Sequence, residues 1–180
     1  MFGYCDSLTS IDVSSFNTEN AETMEFMFYT CLSLTSINLS NFNTKNLLAM
    51  DTMFCSCESL TSLDLSNFDT SKVEDINSMF GACHSLKYLN ISTFTKFIHI
   101  GPLLGGCKSL SILDMSSFLD FNDKGYPIFV RFSDSGTFIL IIILQIMQKK
   151  IFQKDGKLKL LIINKIFIIN LLFKKFGHKI

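Results

Sequence analysis

The same 26 letters return, almost unchanged, three times in succession: MFGYCDSLTSIDVSSFNTENAETMEF at 1–26, MFYTCLSLTSINLSNFNTKNLLAMDT at 27–52 and MFCSCESLTSLDLSNFDTSKVEDINS at 53–78. Looser copies follow at 79–102 and 103–128. A unit this short cannot bury an apolar face alone, so each copy must serve as the packing partner of the next. This constrains the fold more than any bulk property of the chain. Equivalent letters should form rows that run from one unit to the next.

The columns are explicit. Cys5, Cys31, Cys57, Cys83 and Cys107 stand at steps of 26, 26, 26 and 24 residues. Leu8, Leu34, Leu60, Leu86 and Leu110 form a second column. Ile11, Ile37, Leu63, Leu89 and Leu113 form a third, and Val13, Leu39, Leu65, Ile91 and Met115 a fourth. Phe16, Phe42, Phe68, Phe94 and Phe118 close the set and are expected to stack as rings. Each unit thus reads L-x-x-L-x-L-x-x-F, a leucine-rich-repeat pattern with Phe in place of Asn or Cys.

Leu63 and Leu65 alternate with Ser62, Asp64 and Ser66, the period of a strand with one buried face. Val73, Ile76, Met79 and Phe80 recur at helical spacing, with Thr70 or Ser71 as cap and Ser71-x-x-Glu74 as capping box. The expected class is therefore α/β: about five strand-turn-helix coils, stacked roughly 4.8 Å apart at their strands. Gly101 and Pro102 break the helical run of the fourth unit.

We place the repeat array at 1–128 and a separate tail at 129–180. Charge divides in a similar way: residues 1–136 carry 7 Lys and Arg against 15 Asp and Glu (net −8), and residues 137–180 carry 9 against 1 (net +8). The tail is rich in Ile, Leu, Phe, Lys and Asn and is expected to be irregular or helical. Its uninterrupted apolar run, Phe138–Leu144, falls far short of the ~20 residues that span a bilayer. Two readings stand side by side: a segment that contacts a membrane surface through its lysines, and a non-native extension without selected function.

Catalysis is not expected. His84, His99 and His178 have no evident nucleophile or orienting acid, and every Ser of the array belongs to a repeated column. GPLLGG lacks the Lys-Ser/Thr that a phosphate loop needs. No metal or cofactor site is expected either: only Cys55 and Cys57, with Cys83 and His84 one unit on, approach a zinc clamp, and C-x-C is not its usual spacing. The cysteines read as free thiols used for packing. An acidic array is a poor match for nucleic acid, whose binding needs clustered Lys and Arg.

What remains is the outward side of the strands. Its candidate ligand-binding residues are Thr9, Ser10 and Asp12, Thr35, Ser36 and Asn38, Thr61, Ser62 and Asp64, Lys87, Tyr88 and Asn90, then Ile112 and Asp114. Taken singly, these are solvated polar positions. Taken together, they offer a hydroxyl- and carboxylate-rich surface for a protein or glycan. Tyr88 and Ile112 break the polar pattern and are the first candidates for a contact patch. The triplets Asn38-Leu-Ser and Asn90-Ile-Ser match a glycosylation acceptor but follow from column composition.

The unit MFxxCxSLTSLDLSNFDTSxVxDM resembles the 26-residue leucine-rich repeat of BspA-like bacterial surface proteins, closely over 1–94 and loosely over 95–118. The resemblance implies a right-handed α/β solenoid, a secreted or lipid-anchored location, and adhesion to host or partner surfaces. The chain carries no secretory leader, lipid-attachment cysteine near its start or wall-anchoring motif, and Met1 opens a repeat without a cap. We therefore expect a fragment of a surface protein, whose uncapped first unit would continue in a longer array or self-associate. The alternatives are a degenerate reading frame without independent function and an intracellular scaffold.

Overall fold

A computed structural model of the protein describes residues 1–95, 101–115 and 117. The chain divides into two units, Met1–Ile139 and Leu140–Ile180. All the described residues lie in the first. The tail at 129–180, its boundary with the array, and Phe118 lie outside the described residues.

Three short strands are formed: β1 (Ser62–Asp64), β2 (Tyr88–Asn90) and β3 (Ile112–Asp114). They make one parallel sheet in sequence order. The register joins Ser62 to Tyr88 to Ile112, Leu63 to Leu89 to Leu113, and Asp64 to Asn90 to Asp114. Equivalent letters of units three to five therefore lie side by side. The two-residue shortening of unit four is absorbed without a slip, since a slip of one residue would turn Leu89 or Leu113 out to solvent. The same row reaches the first two units through main-chain bonds from Thr35 N–H to Thr9 O (3.2 Å) and from Thr61 N–H to Thr35 O (3.2 Å).

Two further rows tie the units together elsewhere in each repeat. Isolated parallel bridges join Thr23 to Ala49 and Ala49 to Asp75. In the other row Phe2, Phe28, Phe54 and Phe80 donate their N–H to Met27 O, Met53 O, Met79 O and Leu103 O, at 2.8–3.1 Å.

The expected helix is not there. Among the described residues no helix occurs; Asp75 makes an isolated bridge to Ala49, and a turn follows at 77–80. The donors explain the difference: Glu74 N–H goes to Leu48 O, Met50 N–H to Asp75 O and Thr52 N–H to Asn77 O, each across to a neighbouring unit. A helix would direct such donors four residues back along its own chain. The three-residue spacing that suggested a helix belongs to short turns, in which Val73 bonds Thr70 O, Met79 bonds Ile76 O and Gly81 bonds Ser78 O. Thr70 is not a cap. It is buried, and its hydroxyl donates to Thr93 O (3.4 Å). The capping-box role of Ser71 lapses with the helix; its N–H closes a small turn on Asp69 Oδ1 (2.9 Å).

Turning so often requires left-handed backbone. Tyr4, Thr30, Ser56, Ala82 and Gly106 form a column with φ of 66°, 59°, 63°, 57° and 84°. Phe26, Thr52 and Ser78 form another at 54°, 52° and 51°. Such a conformation costs an L residue on the order of 1–2 kcal/mol, most for a β-branched one such as Thr30. Lateral bonds hold it, including Thr30 N–H to Cys55 O (2.9 Å) and Ser56 N–H to Gly81 O (2.7 Å).

The core follows the columns. Leu34, Leu60, Leu86 and Leu110 are buried, as are Leu63, Leu65, Leu89, Ile91, Leu113 and Met115. The phenylalanines divide unexpectedly. Phe42 and Phe68 stack with centroids 6.5 Å apart and planes 13° from parallel, whereas Phe16 lies against Phe2 at 5.9 Å. The continuous stack is a second column, Phe2–Phe28–Phe54–Phe80, at 5.6, 5.5 and 6.2 Å and within 12° of parallel throughout. Sequence spacing had assigned Phe80 of this column to a helix face.

Side-chain bonds to the main chain of a neighbouring unit also repeat. Thr18 Oγ1 accepts from Asn43 N–H (2.8 Å) and donates to Asn43 O (3.0 Å), and Thr44 treats Asp69 in the same way at 2.8 and 3.1 Å. Asn41 Nδ2 donates to Val13 O, and Asn67 Nδ2 to Leu39 O, both at 3.0 Å. These side chains satisfy main-chain groups where no strand ladder runs.

Candidate functional site

The strand face holds the candidate residues in rows, but many of them are occupied with structure. Thr35 and Thr61 donate their hydroxyls to Thr9 O and Thr35 O, at 3.2 and 3.3 Å, beside the main-chain bonds of the same row. The central acidic and amide column closes turns: Asp12, Asn38, Asp64 and Asn90 each accept, through Oδ1, the N–H two residues on, from Ser14, Ser40, Ser66 and Ser92, at 2.9–3.0 Å. This is the Asx turn, and it explains why the column allows only Asp or Asn. It is legible in the repeated D/N-x-S letters.

These bonds favour the ionised carboxylates. The Ser14 hydroxyl and N–H lower the pKa of Asp12. At Asp64 the Ser66 N–H has the largest effect, followed by the Ser66 hydroxyl, with a contribution from the Asn90 side chain. The column thus alternates ordered carboxylates, at Asp12 and Asp64, with neutral amides, at Asn38 and Asn90. Ser10, Ser36 and Ser62 are exposed along it. Tyr88 and Ile112 are cross-strand partners. Ile112 is 51% exposed and Tyr88 is half-buried, so an apolar spot stands in the polar strip beside Lys87.

The cysteines form no disulfides; all six are free. Cys31, Cys57, Cys83 and Cys107 are buried, and their thiols donate to the carbonyls of Phe2, Phe28, Phe54 and Phe80 at 3.1–3.2 Å. Each thiol therefore bonds the main chain of the preceding unit. Burial pushes Cys57 and Cys107 up to about 12, and raises Cys31 and Cys83 as well. A thiolate is disfavoured at all four, so they are poor nucleophiles. Cys5 departs from the expected inward column and is exposed. With a thiol reagent on the native protein, Cys5 and Cys55 are expected to label rapidly and the other four only after unfolding. Fast labelling of Cys57 or Cys83 would contradict the packing role.

Cys55, Cys57, Cys83 and His84 do not form a metal clamp: the thiols of Cys57 and Cys83 point to carbonyls, and His84 Nδ1 lies 3.7 Å from Glu58 Oε2. Among the described residues no group of three or more His, Cys, Asp or Glu is placed to hold a metal ion. Nor is any helix there long and apolar enough to cross a membrane.

Parallel rows, one letter per unit and a shared polar face define a protein of stacked, in-register repeats. A family model described as "Mycoplasma protein of unknown function, DUF285" matches residues 1–99. The match covers more than half of the chain, and the chain belongs to that family. Nothing among the curated proteins or the solved structures matches it.

Proposed function

We propose that the protein is a non-catalytic, surface-type repeat protein whose strand face binds a protein or glycan partner. The observation that carries this reading is the Tyr88–Ile112 pair, Ile112 exposed and Tyr88 half-buried, set in register within a strip of ordered carboxylates, amides and hydroxyls. An apolar contact ringed by polar groups suits a partner that is itself amphipathic, as sugar rings and protein surfaces are. Repetition supports it too, because a row of like residues engages a long ligand at many weak points. The lateral bonding fits a solenoid of about five coils, right-handed by its resemblance to BspA-like repeats. That resemblance also supports an adhesive role at a cell surface.

The test is a screen of glycans and host-surface proteins against the full chain, repeated with the Tyr88→Ser/Ile112→Ser double variant. Neither substitution removes a fully buried side chain. We expect affinity for the bound partner to fall at least about tenfold. Unchanged affinity would move the site off this patch, and turnover of any ligand would overturn the non-catalytic reading.

A further inference from the structure

One row of side chains on the strand face takes no part in holding the fold. On one side of it, the hydroxyls of Thr35 and Thr61 are bonded to the unit before. On the other, Asp12, Asn38, Asp64 and Asn90 close turns. Between them stand Ser10, Ser36, Ser62, Tyr88 and Ile112, one to a unit. Among the described residues, the hydroxyls of Ser10, Ser36, Ser62 and Tyr88 meet no hydrogen-bond partner. The main chain beneath the row is nevertheless fixed: Tyr88 N–H donates to Thr61 O (3.4 Å) and Ile112 N–H to Lys87 O (2.9 Å). Polar groups ordered in advance and spared structural duty cost a ligand little to engage.

Shape and charge narrow the ligand. At about 4.8 Å per strand, the row is a strip roughly 20 Å long and one side chain wide. A protein interface covers about 800 Å² on each partner and centres on a cluster of large apolar side chains. This row offers two, and Tyr88 is half-buried. An extended peptide docks through main-chain bonds at a sheet edge, whereas the N–H groups of Tyr88 and Ile112 are already paired between units. On the face, Asp12, Asp64 and Asp114 outnumber Lys87, which disfavours an anionic ligand. A linear chain of neutral sugar rings meets each requirement. Its flat C–H faces suit Tyr88 and Ile112, and its edge hydroxyls suit the serines.

We propose that the row from Ser10 to Ile112 seats a neutral, linear oligosaccharide of β-linked, all-equatorial rings, with one ring resting on Tyr88 and Ile112. This rests on the strand face being a binding surface and commits that surface to one class of partner.

The test titrates the full chain, by calorimetry, with cellohexaose, with chitohexaose, and with cellohexaose oxidised to carry a carboxylate on every ring. At least one neutral chain is expected to bind, with an affinity little changed by salt. It should bind at least about tenfold more tightly than the oxidised chain. Tyr88→Ser and Ser36→Arg should each weaken it about tenfold, the first by removing the platform. The second blocks the row from an exposed position and leaves the core intact. No binding of either neutral chain, equal binding of the oxidised one, or full affinity in Ser36→Arg overturns the proposal. If neither neutral chain binds while a protein partner is lost in Tyr88→Ser/Ile112→Ser, the strand face remains a binding surface and this inference alone falls. If no partner of either kind responds to that double variant, both fall.

Discussion

Replacing Phe54 by alanine is expected to lower the unfolding free energy by about 3–5 kcal/mol. The ring is fully buried and stands in the middle of the stack, 5.5 Å from Phe28 and 6.2 Å from Phe80. Its loss removes buried apolar area, leaves a gap bounded by two rings that the lateral ladder holds in place, and forfeits about 0.5–1.5 kcal/mol for each stacked pair. Relaxation is limited, because Phe54 N–H is tied to Met79 O and Phe54 O receives the Cys83 thiol. Phe16→Ala is the comparison: that ring is half-exposed and meets only Phe2 in the stack, so about 1–2 kcal/mol is expected. Urea unfolding followed by circular dichroism would measure both. A smaller denaturant slope in Phe54→Ala would mean that the units on either side have separated, since each contacts only its neighbours. A loss below about 1 kcal/mol would show that the column does not act as a spine.

That column marks the limit of what the letters disclose. The rows were legible, because a repeated letter needs no physics beyond stacking to find its neighbour. Leu63, Leu89 and Leu113 are paired as their spacing requires, and the four buried cysteines follow their column. The absence of the helix was not legible, and for a definite reason. Val73, Ile76 and Met79 at three-residue steps are all buried here, as they would be on one face of a helix, although the chain between them passes through a bridge at Asp75 and a turn at 77–80. Only the destination of the N–H groups decides, and Glu74 sends its own to Leu48 O in the unit before. The same error concealed Phe80 as a stacking partner.

The site divides along a similar line. Tyr88 and Ile112 announce themselves by breaking a polar column. The Asx turns of Asp12, Asn38, Asp64 and Asn90 could have been read from a Ser two residues on. Thr35 and Ser36, by contrast, read alike as exposed hydroxyls. Only the bond from Thr35 to Thr9 O, one unit back, separates them.

A second large effect concerns acidity. Asp51 is pushed up from 3.8 to about 6, first by burial, then by the neighbouring Glu25 carboxyl and by Asp75, while the Thr52 hydroxyl opposes the shift. The fold therefore favours the protonated acid. Stability from this group is fully present below about pH 4, where the unfolded chain is protonated too, and is lost as pH rises through 6. With discount for partial exposure, about 1–2 kcal/mol should disappear across that window. Asp12, Asp64, Asp69 and Glu19 are shifted the opposite way by their hydrogen-bond partners, so their contributions are lost only on further acidification, below about pH 4. The two effects occupy different pH ranges and can be separated. Asp51→Asn imitates the next unit, which carries Asn77 at the same letter. It should raise stability at pH 7 by about 1–2 kcal/mol and flatten the profile between pH 4 and 6, leaving the acid limb unchanged. Thermal unfolding of both proteins at half-unit pH steps would measure this. An unaltered slope between pH 4 and 6 in Asp51→Asn would mean that the carboxyl is open to water, and that its repulsion by Glu25 and Asp75 is screened away.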